Sequence, residues 1–247
     1  MKDCIVIIPT YNEKENIGNI IPYTLNLSER LEILVIEDGS PDGTADIVKG
    51  LMTQFPGRIH IIERTGKLGL GTAYITGFKW ALENNYRYIF EMDADFSHPP
   101  EKLLELLDAC ENKGAYMSVG SRYVKDGGVV NWPFNRLFLS LFASKYVRLV
   151  TGMRIKDTTA GFVCYRNETL KNIDFDKIKF IGYAFQIEMK FAVWLSEAKV
   201  IEVPILFRDR EAGTSKMNGS IIKEAMLGVL QMKLQAFKNK QNYLPAK

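Results

Sequence analysis

Residues 4–9 read CIVIIP, a continuous apolar run that is rich in β-branched residues. A strand that is buried on both faces of a parallel sheet has this kind of sequence, whereas a half-exposed strand alternates apolar and polar residues. The polar turn PTYNE follows, and residues 13–25 then carry apolar side chains at helical spacing. The start of the chain therefore predicts a buried strand and a helix, with Asn12 as the candidate N-cap.

The same order recurs three more times along the first half of the chain. Strands are predicted at residues 31–40, 58–64 and 86–95, and the helices that follow them at 44–55, 69–84 and 99–112. Four consecutive strand–helix units are typical of an α/β fold with a mainly parallel sheet flanked by helices. Ligands of such sheets bind at the carboxyl ends of the strands, so the loops after the strands are the first places to search for a site.

The second half is less regular. We predict a strand at 116–123, an amphipathic helix within 132–152, a turn at KDTTAGF (156–162), a helix at 183–198, a strand at 199–210 and an apolar helix at 220–237. No internal repeat or low-complexity linker separates these elements. The whole chain, residues 1–247, is therefore predicted to form a single domain.

Composition excludes several classes of protein. Hydrophobic residues make up 47% of the 247 residues and charged residues 25%, as in a globular domain. The net charge of +3 is too small to indicate a nucleic-acid partner. The three cysteines, Cys4, Cys110 and Cys164, are far apart and odd in number, which favours buried thiols in a reducing compartment.

Neither a secretory signal nor a transmembrane helix is expected. The N-terminus lacks the basic, apolar and small-residue regions of a signal peptide. The most apolar helical stretch, Trp132–Gly152, contains Arg136, Lys145 and Arg148, which are costly inside a bilayer.

Two aspartates stand where the fourth predicted strand gives way to a turn, in FEMDADFSHPPEKL (90–103). Carboxylate oxygens suit Mg²⁺ or Mn²⁺, and an ion held by one or two carboxylates usually completes its shell with substrate phosphates. The alternative is that Asp93 and Asp95 only cap the helix that opens at the prolines. His98, beside those prolines, is predicted to be a turn residue.

The loops after the second and third strands add polar and glycine residues to the same edge. In EDGSPDGT (37–44), Asp38 can accept hydrogen bonds from a nucleoside, although an ordinary Asp-Gly turn explains the motif equally well. The stretch GKLGLG (66–71) can present backbone amides to a phosphate, which is a weak signal by itself.

The motifs PTYNE, EDGSPDGT and DADFSHPP, in this order and spacing, resemble those of the family 2 glycosyltransferases with the GT-A fold. Farther along, GSRY, NRLFLS, DTTAGF, GYAFQIE and FRDREAGTSKM resemble the dolichyl-phosphate (polyprenol-phosphate) mannosyltransferase branch. The resemblance covers roughly residues 4 to 220. It implies a Rossmann-type, mostly parallel central sheet.

The resemblance also implies the substrates and the site. The donor would be GDP-mannose, the acceptor a polyprenyl or dolichyl monophosphate, and the cofactor Mg²⁺ or Mn²⁺. Residues 1–115 would form the nucleotide-sugar-binding half, 116–220 the acceptor-binding half, and 220–240 an amphipathic C-terminal helix.

Individual roles follow from the matching motif positions. The implied donor-binding residues are Pro9, Tyr11, Glu13, Asp38, Asp93, Arg208 and Lys216. The implied metal ligands are Asp93, Asp95 and Ser97, and the implied acceptor-phosphate residues are Arg122, Arg136 and Ser140. The implied catalytic residues are Asp95, Arg122 and Lys216. Glu37 and Ser97 depart from the pattern of many relatives, which have an aspartate and a glutamine there.

The residues themselves agree with a phosphate acceptor. Arg136 and Ser140 are four residues apart on a predicted helix and therefore share a face. With Arg122 they can hold one phosphate, although each arginine can also be an ordinary surface charge. A phosphate monoester has a second pKa of about 6, so it needs no general base to become a nucleophile. A sugar hydroxyl acceptor would need one, and Glu188 is the candidate.

Leu139, Phe142, Tyr146 and Leu149 lie on the other side of that helix, and Ile222, Met226, Leu230 and Leu234 form an apolar arc on the last helix. Two such helices can lie in a membrane interface, while core packing or a dimer contact is the competing interpretation. We expect a cytoplasmic protein, peripheral at the inner face of the membrane, acting alone, as a homo-oligomer or with a membrane-protein partner.

Three other functions stay open. The enzyme can use another donor, such as UDP-glucose or UDP-GlcNAc, or a glycan acceptor. A nucleotidyltransferase also has acidic metal sites on an α/β sheet, but this chain lacks the glycine-rich loop expected after the first strand. A non-catalytic nucleotide-binding module is disfavoured because both aspartates of the DxD motif are intact.

Overall fold

The computed structural model describes residues 2–182, 184–209, 219–238 and 243, and it describes only the backbone of residues 219–225, 237 and 238. In the first half, strands and helices alternate as the sequence predicts. They are β1 (Lys2–Thr10), α1 (Lys14–Leu27), β2 (Leu31–Glu37), α2 (Thr44–Gln54), β3 (Ile59–Glu63), α3 (Leu70–Glu83), β4 (Tyr86–Glu91) and α4 (Leu103–Glu111).

The second half contains shorter elements. They are β5 (Met117–Ser121), β6 (Gly128–Val130), α5 (Phe134–Thr151), β7 (Val163–Arg166), α6 (Asn167–Lys171), α7 (Ala184–Leu195), β8 (Val200–Pro204), β9 (Leu206–Arg208) and α8 (Gly219–Lys238). Two single 3₁₀ turns, Pro100–Lys102 and Phe175–Lys177, complete the described structure.

Seven strands form one twisted layer in the order β3-β2-β1-β4-β7-β5-β8. β1 lies inside this sheet, parallel to β2 and β4. Its side chains alternate between two buried cores: Ile5 and Ile7 face the core under α3 and α7, and Val6 and Ile8 face the core under α1 and α4. The prediction of a mostly parallel sheet flanked by helices is therefore confirmed, and the uninterrupted apolar run of β1 has its cause in burial on both faces.

The sequence did not predict β7. This four-residue strand runs antiparallel to both β4 and β5 and joins them. It is short and follows a turn, so its sequence has neither the length nor the alternation of a recognisable strand. It lies between β4 and β5, which therefore run parallel to each other one strand apart.

Two local predictions are wrong. Asn12 does not cap α1: the helix begins at Lys14, its N-cap residue is Glu13 without a side-chain cap, and Asn12 has a left-handed φ of 57°. The strand predicted at 199–210 is two strands, β8 and β9, because the pairing partner changes. β8 pairs with β5 as far as Pro204, and β9 pairs with β6 from Leu206 onward. The resulting two-stranded β6–β9 sheet extends from the main sheet.

α5 and α8 pack against each other, and the Tyr146 hydroxyl donates to the Met226 carbonyl oxygen. Outward-facing apolar side chains include Phe134, Phe138 and Leu149 on α5, which are 80%, 62% and 84% exposed. Leu227, Leu230 and Leu234 on α8 are exposed as well. We call these six residues the apolar face of the helix pair. None of the helices in the described part of the chain has the length and apolar character that a membrane crossing requires.

The three cysteines are buried free thiols, as the sequence predicts. Cys4 and Cys164 belong to the core on the α1 and α4 side of the sheet, together with Cys110 of α4. Burial raises the pKa of Cys164 well above its usual value. These thiols act as small apolar core residues.

Two glycines in helices offer a matched test of this packing. A Cβ on Gly77 of α3 would lie 2.7 Å from Ile7 Cγ2, whereas a Cβ on Gly50 of α2 would meet no described atom within 4 Å. We expect Gly77→Ala to lower the free energy of unfolding by about 1–3 kcal/mol, because the overpacked methyl group outweighs the gain in helix propensity. Gly50→Ala should raise it by about 0.5–1 kcal/mol. Equal stabilities of the two variants in urea denaturation would contradict the close α3–β1 approach.

Candidate active site

The two aspartates of the DxD motif lie in the loop that follows β4. The Asp93 side chain is 42% exposed, whereas Asp95 is largely buried. Asp95 Oδ1 accepts the backbone N–H of Ser97 at 3.1 Å, which closes the turn. The Ser97 hydroxyl is buried and has no hydrogen-bond partner among the described residues. All three side chains line one pocket.

These groups fit a hard divalent cation. Carboxylate and hydroxyl oxygens are the ligand types that Mg²⁺ and Mn²⁺ prefer, and an orphaned buried hydroxyl beside two carboxylates is explained if it accepts such a partner. No cluster of three or more His, Cys, Asp or Glu side chains suited to a metal occurs within the described ranges. The protein therefore supplies a partial ligand set, of the kind that substrate phosphates complete.

The His98 side chain stabilises the DxD loop. Its ring stacks on Phe162 with centroids 5.0 Å apart, and Nδ1 accepts the backbone N–H of Asp93 at 3.1 Å. Burial lowers the pKa of His98 to about 4, so the imidazole is neutral near pH 7. The 4.0 Å approach of Nδ1 to the Asp93 carboxylate is therefore not an ion pair. His98 does lie in the turn, but it also fixes the position of Asp93, which the sequence prediction did not include.

The loop after β2 is held by its own carboxylates. Glu37 accepts the backbone N–H groups of Gly39 and Ser40 at 2.9 and 2.7 Å, so it shapes the turn. Asp38 forms a two-pronged ion pair with Arg64, with nitrogen–oxygen distances of 2.6 and 2.7 Å, and it also accepts the backbone N–H of Leu68. Both side chains of this pair are 8% exposed. Asp38 thus connects the end of β2 to the end of β3 through Arg64. The sequence analysis did not predict this pairing.

The loop after β1 lies against the loop after β2. The backbone N–H of Glu13 donates to Thr44 Oγ1, and that of Asn12 to Ser40 Oγ. The Lys67 ammonium group lies 5.2 Å from the centre of the Tyr11 ring. The predicted donor residues Tyr11, Glu13 and Asp38 therefore belong to two neighbouring strand-end loops, those after β1 and β2.

Arg122, at the end of β5, is buried and forms an ion pair with Asp157. Its Nε and Nη2 donate to the two carboxylate oxygens at 2.7 and 2.6 Å, and its backbone N–H donates to Oδ2 at 2.9 Å. Burial alone would raise the pKa of Asp157, but the Arg122 guanidinium outweighs it and the pKa is lowered. Arg122 lines the pocket with its charge already balanced.

Arg136 has a more open environment. Its Nη1 donates to Asp209 at 2.7 Å, and the two side chains are 31% and 35% exposed. The guanidinium lies 4.0 Å from the centre of the Trp132 ring. Ser140, one turn along α5, accepts a hydrogen bond from the Tyr123 hydroxyl at 2.6 Å.

A cavity of about 270 Å³ joins these parts. The DxD loop residues line it together with a polar group on the predicted acceptor side, which is Arg122, Arg136, Ser140, Trp132 and Asp209. The wall toward the helix pair is apolar, with Leu139, Phe142, Tyr146, Val147, Met226 and Val229. Leu139, Phe142 and Tyr146 thus line the same cavity as Arg136, although the sequence placed them on the opposite side of the helix.

The predicted site residues therefore fall into three groups. Six line the cavity: Asp93, Asp95, Ser97, Arg122, Arg136 and Ser140. Pro9, Tyr11, Glu13 and Asp38 lie in or beside the loops after β1 and β2 and are not among its lining residues, and Arg208 is exposed on β9. Lys216 lies outside the described residues.

Glu188 is not placed as a general base. Its carboxylate is buried, accepts the backbone N–H groups of Lys179 and Phe180, and receives the Tyr243 hydroxyl. It therefore holds the segment before α7.

A second buried network lies behind the cavity. Gln186 donates to Glu91 at 2.6 Å, and Lys190 donates to the backbone carbonyl oxygens of Ala160 and Gln186. Burial raises the pKa of Glu91 to about 7 and lowers that of Lys190 to about 8. The sequence analysis missed this network and the partner residues Arg64, Asp157 and Asp209. Two motifs, DTTAGF and GYAFQIE, contained Asp157 and Gln186, but neither spacing nor composition named their partners.

Comparison with known proteins places this site in context. Residues 5–174 match Glycosyl transferase family 2. A polyprenol monophosphomannose synthase of Mycolicibacterium smegmatis is 47% identical over 227 residues, which cover 92% of this chain and 85% of that protein. An undecaprenyl-phosphate mannosyltransferase of Micrococcus luteus is 43% identical over 232 residues, 94% of each chain.

Solved structures share the fold at low sequence identity. A glucosyl-3-phosphoglycerate synthase from Mycobacterium tuberculosis, with Mn²⁺, UDP and product, has a TM-score of 0.68 at 14% identity and covers 94% of this chain and 80% of that one. The mannosyltransferase PcManGT from Pyrobaculum calidifontis, with GDP-Man and Mn²⁺, has a TM-score of 0.59 at 17% identity and covers 96% and 64%. This chain belongs to Glycosyl transferase family 2 and is a glycosyltransferase with the GT-A fold.

Proposed function

We propose that the protein transfers mannose from GDP-mannose to a polyprenyl or dolichyl monophosphate, with inversion at the anomeric carbon. One observation carries this proposal: a single cavity is lined by oxygen ligands suited to a divalent cation, by two arginines and a serine, and by apolar side chains of α5 and α8. A nucleotide-sugar diphosphate, a phosphate monoester and an isoprenoid chain need these three surfaces, respectively.

The relatives support the synthesis of polyprenyl-phosphate mannose. The names of both similar proteins describe mannose transfer to, or its synthesis on, a polyprenol phosphate. The GDP-Man complex of PcManGT supports GDP-mannose as the donor. Donor identity is the finer part of the proposal, because it depends on contacts of the nucleoside with Pro9, Tyr11, Glu13 and Asp38.

On the donor side, Asp93, Asp95 and the Ser97 hydroxyl would hold Mg²⁺ or Mn²⁺. The bound ion would neutralise charge on the leaving diphosphate. The residues of this chain do the remaining work: His98 fixes Asp93, and the Asp38–Arg64 pair fixes the loop against which the nucleoside would lie. Arg208 and Lys216 are the proposed basic residues over the diphosphate.

On the acceptor side, the chain's task is placement rather than proton transfer. A phosphate monoester is already anionic near pH 7. Arg136 and Ser140 would hold it, and Arg122 would add its hydrogen-bonding edge from a rigid position. The engagement of Glu188 with backbone N–H groups agrees with a reaction that needs no carboxylate base.

The experiment that tests this function compares donors directly. Purified protein with Mg²⁺ or Mn²⁺ and a short polyprenyl monophosphate is given radiolabelled GDP-mannose, UDP-glucose or UDP-GlcNAc. We expect label from GDP-mannose alone to enter the organic phase, with a β-linked product from the α-linked donor. Asp95→Asn should reduce the rate by about 10²-fold or more, because the cation loses a charged ligand.

The matched control is Asp176→Asn. It removes the same charge from an exposed ion pair with Lys79, neither member of which lines the cavity, and should leave the rate unchanged. Transfer from a uridine-linked donor instead would replace the donor assignment. Near-normal transfer by Asp95→Asn would reject the metal role.

The apolar face of the helix pair supports peripheral membrane association, at the cytoplasmic surface where we place the protein. The exposed cations Lys145 and Arg148 lie on α5 among its exposed apolar side chains. An amphipathic surface of this kind sits at the boundary of headgroups and acyl chains, and basic residues favour anionic lipids. The cavity's apolar wall belongs to the same two helices, so a lipid could reach the site without leaving the membrane.

Vesicle binding tests this placement. Leu149→Ser with Leu227→Ser should weaken cosedimentation with anionic phospholipid vesicles by about tenfold or more, since two exposed leucines lose their transfer energy. Leu104→Ser, on α4 and 40% exposed, is the control and should bind like wild type. Unchanged vesicle binding by the double variant, or equal loss in the control, would rule out this face as the membrane contact.

A further inference from the structure

Two arginines that line the cavity are paired with aspartates, one in a buried pair and one in a partly exposed pair. The Arg122–Asp157 pair is two-pronged and its side chains are 8% and 0% exposed, with a backbone N–H as a third donor to the same carboxylate. The Arg136–Asp209 pair has one hydrogen bond, at 2.7 Å, between side chains that are about one-third exposed. Breaking the first pair would strand a buried charge, whereas solvent or a ligand can replace either member of the second.

Arg136 does not depend on Asp209 for its position. Its guanidinium lies on the Trp132 ring at 4.0 Å, and Trp132 in turn packs edge-on against Phe207 with centroids 5.4 Å apart. A stacked guanidinium keeps its plane and its remaining N–H donors when a carboxylate leaves. The acidic partner therefore competes for these donors rather than orienting them.

From these contacts we infer that, in the substrate-free protein, the Asp209 carboxylate occupies the position on the Arg136 guanidinium where the acceptor phosphate binds. The phosphate of the acceptor displaces this carboxylate. Asp209 thus lowers the affinity of Arg136 for the acceptor phosphate. Its carboxylate occupies the Nη1 donor, and a phosphate that takes this donor must first displace it. The identification of this phosphate as that of a lipid acceptor rests on the proposed function, whereas the exchange of anions on Arg136 does not.

The pairing reduces the apparent affinity of Arg136 for any anion by the fraction of molecules in which Asp209 occupies it. An exposed ion pair is worth little, about 0.2–1 kcal/mol, which converts to roughly a 1.4- to 5-fold effect. Asp209→Asn should therefore bind inorganic phosphate about two- to fivefold more tightly than wild type.

The test is calorimetric titration of the full chain with inorganic phosphate at fixed ionic strength. It compares wild type, Asp209→Asn, Arg136→Ala and the double variant, with Asp176→Asn as the control for the lost charge. We expect tighter binding only for Asp209→Asn, and weak, equal binding for the two variants that lack Arg136. Unchanged circular dichroism and thermal unfolding establish that Asp209→Asn is folded.

The kinetic arm uses the short polyprenyl monophosphate. Asp209→Asn should lower the KM for this acceptor by a similar factor and leave the KM for the donor unchanged. The inference is overturned if Asp209→Asn binds phosphate no more tightly than wild type, or shows no measurable phosphate binding. Asp209 would then position Arg136 instead of competing for it. If no variant transfers mannose while the phosphate titrations behave as expected, the proposed function fails and the exchange on Arg136 stands.

Discussion

The buried ion pair between Arg122 and Asp157 is the interaction on which the cavity depends. It joins the end of β5 to the loop before β7, and three hydrogen bonds converge on a carboxylate that has no exposure. A pair taken this far out of water is tolerated only when its geometry is nearly complete, and removing one partner is far more costly than removing both. The pair therefore fixes the two walls of the cavity relative to each other before any ligand arrives.

The position of β7 explains why this joint is needed. β4 and β5 are not neighbours in the sheet, because β7 lies between them in the opposite direction. An antiparallel strand brings its preceding loop to the edge where the parallel strands end. The loop 157–162 thus meets the DxD loop after β4, and Lys190 holds it from behind through the Ala160 carbonyl oxygen. The loop before this short strand supplies Thr159, Ala160 and Gly161 to the lining of the cavity.

The sequence predicted most of the parallel strands in the first half of the chain, and it predicted the acidic residues of the DxD loop that line the cavity. Apolar runs such as residues 4–9 reflect burial on both faces, a signal local enough to see in one strand. Helical spacing likewise placed Arg136 and Ser140 together. The partners Asp157 and Asp209 were beyond reach, because each meets its arginine through tertiary contacts across 35 and 73 residues. A four-residue strand between a turn and a short helix has no periodic signal, so β7 was missed.

An aromatic wall runs from His98, beside the DxD loop, to Arg136. His98 packs against Phe207 with centroids 5.6 Å apart, Phe207 against Trp132, and Trp132 against Arg136. Burial lowers the pKa of His98 to about 4, so this wall carries no charge near pH 7. His98 and Trp132 both pack on Phe207, so the side chain that positions Asp93 and the ring that stacks on Arg136 share one support.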